Sequence, residues 1–222
     1  MDSACYDALG RLNLPRVNLI SLEDFERGDG PLAHAKQNRS QIEYYFTCTP
    51  SLPLYILNHF AEPDSITYLD ADLFFYADPR PVFDEIGDHS IAIVPHRFPS
   101  YLEDQERFGI YNVGWLTFRR DENGLTCLNW WRDRCNEWCY TRAEDGRSAD
   151  QKYLDDWTTR FAKVIVIQHK GANLAPWNLA NYQTHFSDGR VTVACPDCQR
   201  THSTCRVDSG DCYATKSFCR QG

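Results

Sequence analysis

No stretch of this 222-residue chain approaches the roughly 18 consecutive apolar residues that a membrane-spanning helix needs. Its 23 Lys and Arg gather into no basic run and are outnumbered by 31 Asp and Glu, which leaves a net charge of −8. Nonspecific nucleic-acid binding depends on clustered positive charge and is therefore disfavoured. The N-terminus lacks the basic-then-apolar pattern of a secretory leader, so a cytoplasmic protein is the expectation, with peripheral membrane association left open. No internal repeat is visible. What the chain does have is apolar content of 42% and aromatic content of 14%, enough for a packed globule. Its length suits one full domain with a real core and is too short for two large ones.

The ten cysteines divide unevenly. Cys5, Cys48, Cys127, Cys135 and Cys139 are scattered among apolar residues and read as small buried hydrophobes. The other five, Cys195, Cys198, Cys205, Cys212 and Cys219, crowd into the last 28 residues, where large apolar side chains are few. Residues 194–222 therefore read as a separate Cys-rich tail that is disordered, and a change of reading frame at the gene level would account for it. The alternative is a zinc site in a C-x2-C-x3-H-x2-C pattern formed by Cys195, Cys198, His202 and Cys205.

Periodicity and turn signals give a coarse order of elements. Helices are expected over 2–12 and 36–46, then a break at Pro50–Pro53 and a second helix to Phe60. Further helices are expected over 79–86, over an amphipathic segment capped by Asn123, and over 149–161. Strands are expected over 16–21, up to Asp70, over 90–95, over 109–119 and over 163–168. Residues 23–31 and 171–178 read as loops. In the Asn123-capped helix the stripe Leu125, Leu128, Trp131, Cys135 and Trp138 reads as core packing rather than a sugar platform. Alternating strands and helices point to an α/β layered sheet.

Five short segments carry chemistry. In Tyr68-Leu69-Asp70-Ala71-Asp72-Leu73-Phe74, an apolar strand ends in two carboxylates two residues apart, which project to one side. Strand C-termini are where α/β sheets usually bind ligands. Two like charges that close favour a bridging cation, and oxygen ligands suit Mg²⁺ or Mn²⁺. A bare Asp-x-Asp is more often turn chemistry, but apolar residues flank this pair on both sides. Upstream, Lys36 and Arg39 could offset diphosphate charge, although each alone reads as an ordinary helix surface. In Tyr111-Asn112-Val113-Gly114-Trp115, glycine inside a strand marks either close approach of a ligand or a bulge with a satisfied Asn. Asp150-Gln151 opens a helix, where Asp is usually a cap. His169, directly after a strand, could supply a nitrogen ligand to a metal held by the two aspartates.

The order YLDAD … YNVGW … DQKYL … H-x7-W resembles the nucleotide-sugar glycosyltransferases of the GT-A fold, in particular those similar to glycosyltransferase family 8. The resemblance spans roughly residues 4–180, and bacterial surface-polysaccharide transferases look nearest. It implies a single GT-A-like α/β domain with a mixed central sheet over residues 1–193. It implies that Asp70 and Asp72 with His169 hold Mn²⁺ or Mg²⁺. It implies that Lys36, Arg39, Asp70, Asn112 and Gly114 bind the donor, and that Asp150 and Gln151 act catalytically at the sugar. The implied reaction moves a sugar from a UDP-sugar to a hydroxyl of a saccharide or lipid-linked acceptor, with retention at the anomeric carbon.

Two departures stand out. Met1 falls at what corresponds to the family's second element, so the opening strand that cradles the nucleotide base is expected to be missing. Ala175 stands where the family has a diphosphate-gripping Lys before Pro176-Trp177. An inactive relative that only binds nucleotide or sugar is the first rival. A phosphatase of the haloacid dehalogenase type is the second, set back because Phe74 stands where that class needs Thr or Val.

Overall fold

The computed structural model describes residues 2–187, 190–194 and 201–203. Among these the chain is a mixed α/β structure. A four-stranded sheet is formed by β1 (Ser65–Leu69), β2 (Ile91–Pro95), β3 (Tyr111–Arg119) and β4 (Val164–Val166), in the spatial order β1-β3-β2-β4. β1 and β2 both pair antiparallel with β3, while β2 pairs parallel with β4. Strands β1, β2 and β4 consequently run one way and β3 the other. The C-terminal ends of three strands and the start of the fourth share one edge, and this decides where chemistry can gather.

The helices are α1 (Ser3–Arg11), α2 (Leu22–Glu26), α3 (Gly30–Asn38), α4 (Gln41–His59), α5 (Arg80–Ile86), α6 (Glu122–Glu137) and the short α7 (Trp157–Arg160). Helices α4 and α6 cover one face of the sheet, burying Leu54, Leu57, Leu128 and Trp131 against Ile91, Ile93, Leu116 and Phe118. Helix α5 covers the other, with Val82 and Ile86 against Ala92, Val94 and Trp115. In β2 the two faces alternate as the pleat requires, with Ile91 and Ile93 on one side and Ala92 and Val94 on the other. A second, antiparallel sheet of β5 (Gln183–Ser187), β6 (Arg190–Ala194) and β7 (Thr201–Ser203) runs across the boundary expected at residue 193. Cys195, Cys198, Cys205, Cys212 and Cys219, and with them the zinc and disorder readings of the tail, lie outside the described residues.

Several local expectations are corrected. Residues 16–21 form no strand, and the 23–31 segment expected to be a loop holds α2 and the start of α3. The helix expected over 36–46 is broken at Arg39-Ser40, because Ser40 caps α4: Glu43 N donates to its hydroxyl, and the Glu43 carboxylate accepts from Ser40 N. Helix α4 then runs unbroken through Pro50 and Pro53. Interior prolines usually break helices, but here Thr49, Pro50, Ser51, Pro53, Leu54 and Leu57 are buried, so packing outweighs two missing donors. The cap of α6 is Asp121, whose carboxylate accepts from Gly124 N, rather than Asn123. The helical segment expected over 149–161 is present, as a 3-10 helix over Gln151–Asp156 followed by α7. Cys127, Cys135 and Cys139 are buried as expected, but Cys5 is exposed.

Candidate functional site

The shared strand edge collects most of the residues singled out in the sequence. Asp70 follows the last residue of β1, and its N–H donates to Gly114 O at 3.3 Å. The carboxylate accepts from Tyr68 Oη at 2.9 Å. It is largely withdrawn from solvent, and this burial raises its pKa above the usual carboxylate range, against the pull of the Tyr68 hydrogen bond and with a further push from Asp72. Asp72, two residues on, is exposed. A desolvated carboxylate with a second negative charge beside it has the donor chemistry of a hard divalent-cation site.

Asn112 and Gly114 sit where the β2–β3 ladder slips. Ala92 pairs with Thr117, but Val94 pairs with Asn112, so β3 carries extra residues between these points. Such irregularities re-aim side chains and are frequent beside binding sites. Here the slip breaks the two-residue alternation, and Val113 and Leu116 face the same core. Asn112 Oδ1 folds back to accept from Gly114 N at 2.7 Å. A Cβ at Gly114 would lie 2.5 Å from that oxygen and 3.5 Å from Asp70 Oδ2. Any other residue here would have to displace the Asn112 carboxamide.

Asp150 reaches the site from the loop after α6. It is 4% exposed, and Trp131 Nε1, in the middle of α6, donates to its backbone carbonyl at 2.9 Å. Burial pushes its pKa up to about 7; the Thr49 hydroxyl opposes the rise and the Asp70 charge adds to it. Tyr68 is shifted upward by burial first and then by both Asp70 and Asp150, which places the three groups in one electrostatic cluster. Gln151 donates Nε2 to Phe108 O at 3.1 Å. Its side chain packs over Gly109, whose φ of +146° and whose 3.2 Å approach to Gln151 Cγ both disfavour any other residue.

His169 follows β4 and lies with Gly114 in the wall of a cleft of about 330 Å³, bounded by Phe75, Val82, Trp115 and Leu174. Its N–H donates to Glu85 Oε2 at 3.0 Å, and its carbonyl accepts from Arg97 Nη2 at 3.2 Å. Among the described residues no group of three or more His, Cys, Asp or Glu is drawn together closely enough to hold a metal ion. Asp70 and His169 lie on the same edge without forming such a ligand set. Mg²⁺ commonly takes only one or two carboxylates from protein and the rest from phosphates and water, so a two-carboxylate anchor is chemically adequate.

Lys36 and Arg39 are engaged elsewhere. Lys36 Nζ pairs with Glu26 at 2.7 Å. Arg39 donates to the carbonyls of Cys135 and Asn136, both at 2.7 Å, and to Thr47 Oγ1, which clasps the C-terminal turn of α6. Arg supplies fixed donors where helix carbonyls have no intrahelical partner. His96, Tyr68 and Thr49 were not singled out in the sequence. His96 had an available signal, since it follows β2 as Asp70 follows β1.

The chain is similar to the uncharacterized proteins YfnF and YfnD of Bacillus subtilis (strain 168). It is 34% identical to YfnF over 200 residues, covering 87% of this chain and 65% of YfnF. It is 30% identical to YfnD over 196 residues, covering 87% of this chain and 62% of YfnD. The chain thus spans somewhat less than two thirds of the length of these relatives. No protein-family model matches it. Among the described residues no helix is long and apolar enough to cross a membrane.

Proposed function

We propose that this chain belongs to a metal-dependent glycosyltransferase of GT-A-like fold, similar to glycosyltransferase family 8. The reaction is transfer of a sugar from a nucleoside-diphosphate sugar, a UDP-sugar by resemblance, to a hydroxyl acceptor in surface-polysaccharide synthesis. Retention at the anomeric carbon follows from the resemblance alone. The observation that carries the reading is the convergence at one sheet edge of Asp70 after β1, Asn112 and Gly114 at the start of β3, and His169 after β4, with buried Asp150 beside Asp70.

In this reading Asp70 and Asp72 hold Mn²⁺ or Mg²⁺. A divalent cation bound there would neutralise charge that develops on the departing diphosphate. Gly114, lacking a side chain, lets Asn112 fold back onto β3 and Asp70 lie alongside it. Asn112 and Asp150 flank Asp70 and orient sugar hydroxyls, with Gln151 held beside them through Phe108 O. With its pKa pushed up to about 7 by burial, Asp150 populates both forms near neutral pH, the protonated one able to donate to a sugar oxygen and the ionised one to accept from a sugar hydroxyl. Arg39 and Lys36 take no part beyond holding α6 and α3 in place.

Calorimetric titration of UDP with and without Mn²⁺ tests this directly. Mn²⁺-dependent UDP binding is expected, with loss of at least tenfold in affinity for Asp72→Ala. A protein that binds UDP equally well without metal, or not at all, would remove the metal-dependent transferase as the reading of this chain.

A further inference from the structure

The residue that connects the two halves of the candidate site is one that neither the motif order nor the proposed chemistry includes. Asn112 has a fixed orientation. Gly114 N is a donor, so the Asn112 atom facing it must be Oδ1, at 2.7 Å. That leaves Nδ2 facing His96 Nε2 at 3.2 Å. An amide NH₂ can only donate, so Nε2 must present its lone pair, and the ring proton must sit on Nδ1. An imidazolium at His96 would set two donors against each other.

The ring is held as firmly as its hydrogen bond. His96 is 5% exposed, stacks on Phe98 with ring centroids 4.7 Å apart and planes 10° apart, and meets Trp177 at 5.6 Å. Its backbone carbonyl accepts from Trp177 Nε1 at 3.1 Å and from Asn178 Nδ2 at 2.8 Å. Asn178 in turn accepts from Ala175 N at 3.0 Å and donates to Asn173 O at 2.9 Å. The loop that follows His169 is therefore hung from the same residue whose side chain orients Asn112. One residue at the end of β2 sets the geometry of β3 on one side and of the post-β4 loop on the other.

We infer that His96 is a positioning residue for the donor sugar: its neutral imidazole fixes Asn112, and its carbonyl fixes the 173–178 loop. The role for Asn112 at the sugar rests on the function proposed above. The link from His96 to Asn112 stands without it. The neutrality this requires is consistent with burial, which pushes the imidazole down to about 4 against weaker hydrogen bonding to the backbone at Gly109 and Ile110, with no charged side chain contributing.

Two measurements separate the link from the function. In protein labelled with ¹⁵N-histidine, long-range ¹H–¹⁵N spectra report tautomer and protonation for each of the seven histidines, with His96 assigned by its loss in His96→Gln. His96 is expected as a single Nδ1–H tautomer from pH 5 to 8. Asn112→Asp, which puts a carboxylate against Nε2, should protonate that nitrogen and raise the His96 pKa by one unit or more. An unchanged His96 in Asn112→Asp overturns the link.

The second measurement compares affinity for UDP and for UDP-glucose with Mn²⁺. The Gln side chain retains an acceptor, so His96→Gln should stay within threefold of the native protein for both. His96→Leu should lose tenfold or more for UDP-glucose with little change for UDP. Equal losses for the two ligands in both variants, in step with their melting temperatures, would mean that His96 is merely structural. If the native protein binds neither ligand, the proposed function fails, and the spectra still decide the His96–Asn112 link.

Discussion

At the scale of single residues, Gly114 shows how the candidate site depends on close packing. Its missing Cβ is what allows Asn112 to fold back onto its own strand and Asp70 to lie alongside. Gly114→Ala must expel the Asn112 carboxamide or shift β3, because a contact of 2.5 Å is not sustainable. The expected cost is about 1–3 kcal/mol, the usual range for overpacking. Urea denaturation measures it, and UDP-glucose binding should weaken more than UDP binding because Asn112 is displaced while Asp70 and Asp72 remain. The sequence marked this glycine as either ligand approach or a bulge with a satisfied Asn, and the geometry contains both features of the second reading. Cys5 illustrates the opposite outcome: apolar neighbours in sequence did not make it buried, because α1 buries none of its residues.

At the scale of elements, Arg39, a candidate cation for the diphosphate by sequence, instead donates to Thr47 on α4 and to the Cys135 and Asn136 carbonyls of α6. Hydrogen bonds to charged groups contribute about 1.5–3 kcal/mol each when buried partners would otherwise be left unmet. Arg39→Ala should lower the free energy of unfolding by about 2 kcal/mol with an unchanged denaturant slope. Mn²⁺-dependent UDP affinity should stay within twofold, and a large affinity loss at constant stability would return Arg39 to the binding site. Sequence could not separate these outcomes, since a basic residue at a helix end looks the same whether it meets phosphate or carbonyl oxygen. Helix α4 failed to read as one element for a related reason. Proline propensity is local, whereas the burial of Pro50, Pro53, Leu54 and Leu57 against α6 and the sheet is not.

At the scale of the whole molecule, Asp150 and His96 couple the site to global stability through protons, with opposite signs. Asp150 has a folded pKa raised from 3.8 to about 7, so the folded state holds a proton that the unfolded chain has released. Its contribution is present below about pH 4 and is lost as pH rises through about 7. His96 is lowered from 6.5 to about 4, so its contribution is present above about pH 6.5 and is lost as pH falls through about 4. Asp150→Asn removes only the first effect. Relative to the native protein, the variant should gain thermal stability steadily between pH 4 and 7 and level off above. A constant difference in melting temperature across that range would show that Asp150 titrates as an ordinary exposed carboxylate.

The sequence by itself determined the four strands of the central sheet, helices α5 and α6, and the motif order along them. The amphipathic stripe of α6, the apolar runs that became β1 to β4, and the glycine of β3 are all local patterns, legible because burial imposes a period on them. It also marked Asp70, Asp72, Asn112, Asp150 and His169, through their joint order along the chain, although singly they have bland readings as turn, bulge or cap residues. Only the tertiary structure decided which of these meet. Strand direction and the order β1-β3-β2-β4 bring residues 70, 112, 96 and 169 to one edge, through pairings such as Ile91 with Val164 that join residues far apart in sequence. The slip in the β2–β3 ladder, the burial that raises Asp150 and lowers His96, and the withdrawal of Arg39 to α6 are consequences of that assembly. None has a local signature, because each depends on what a distant segment places beside the residue.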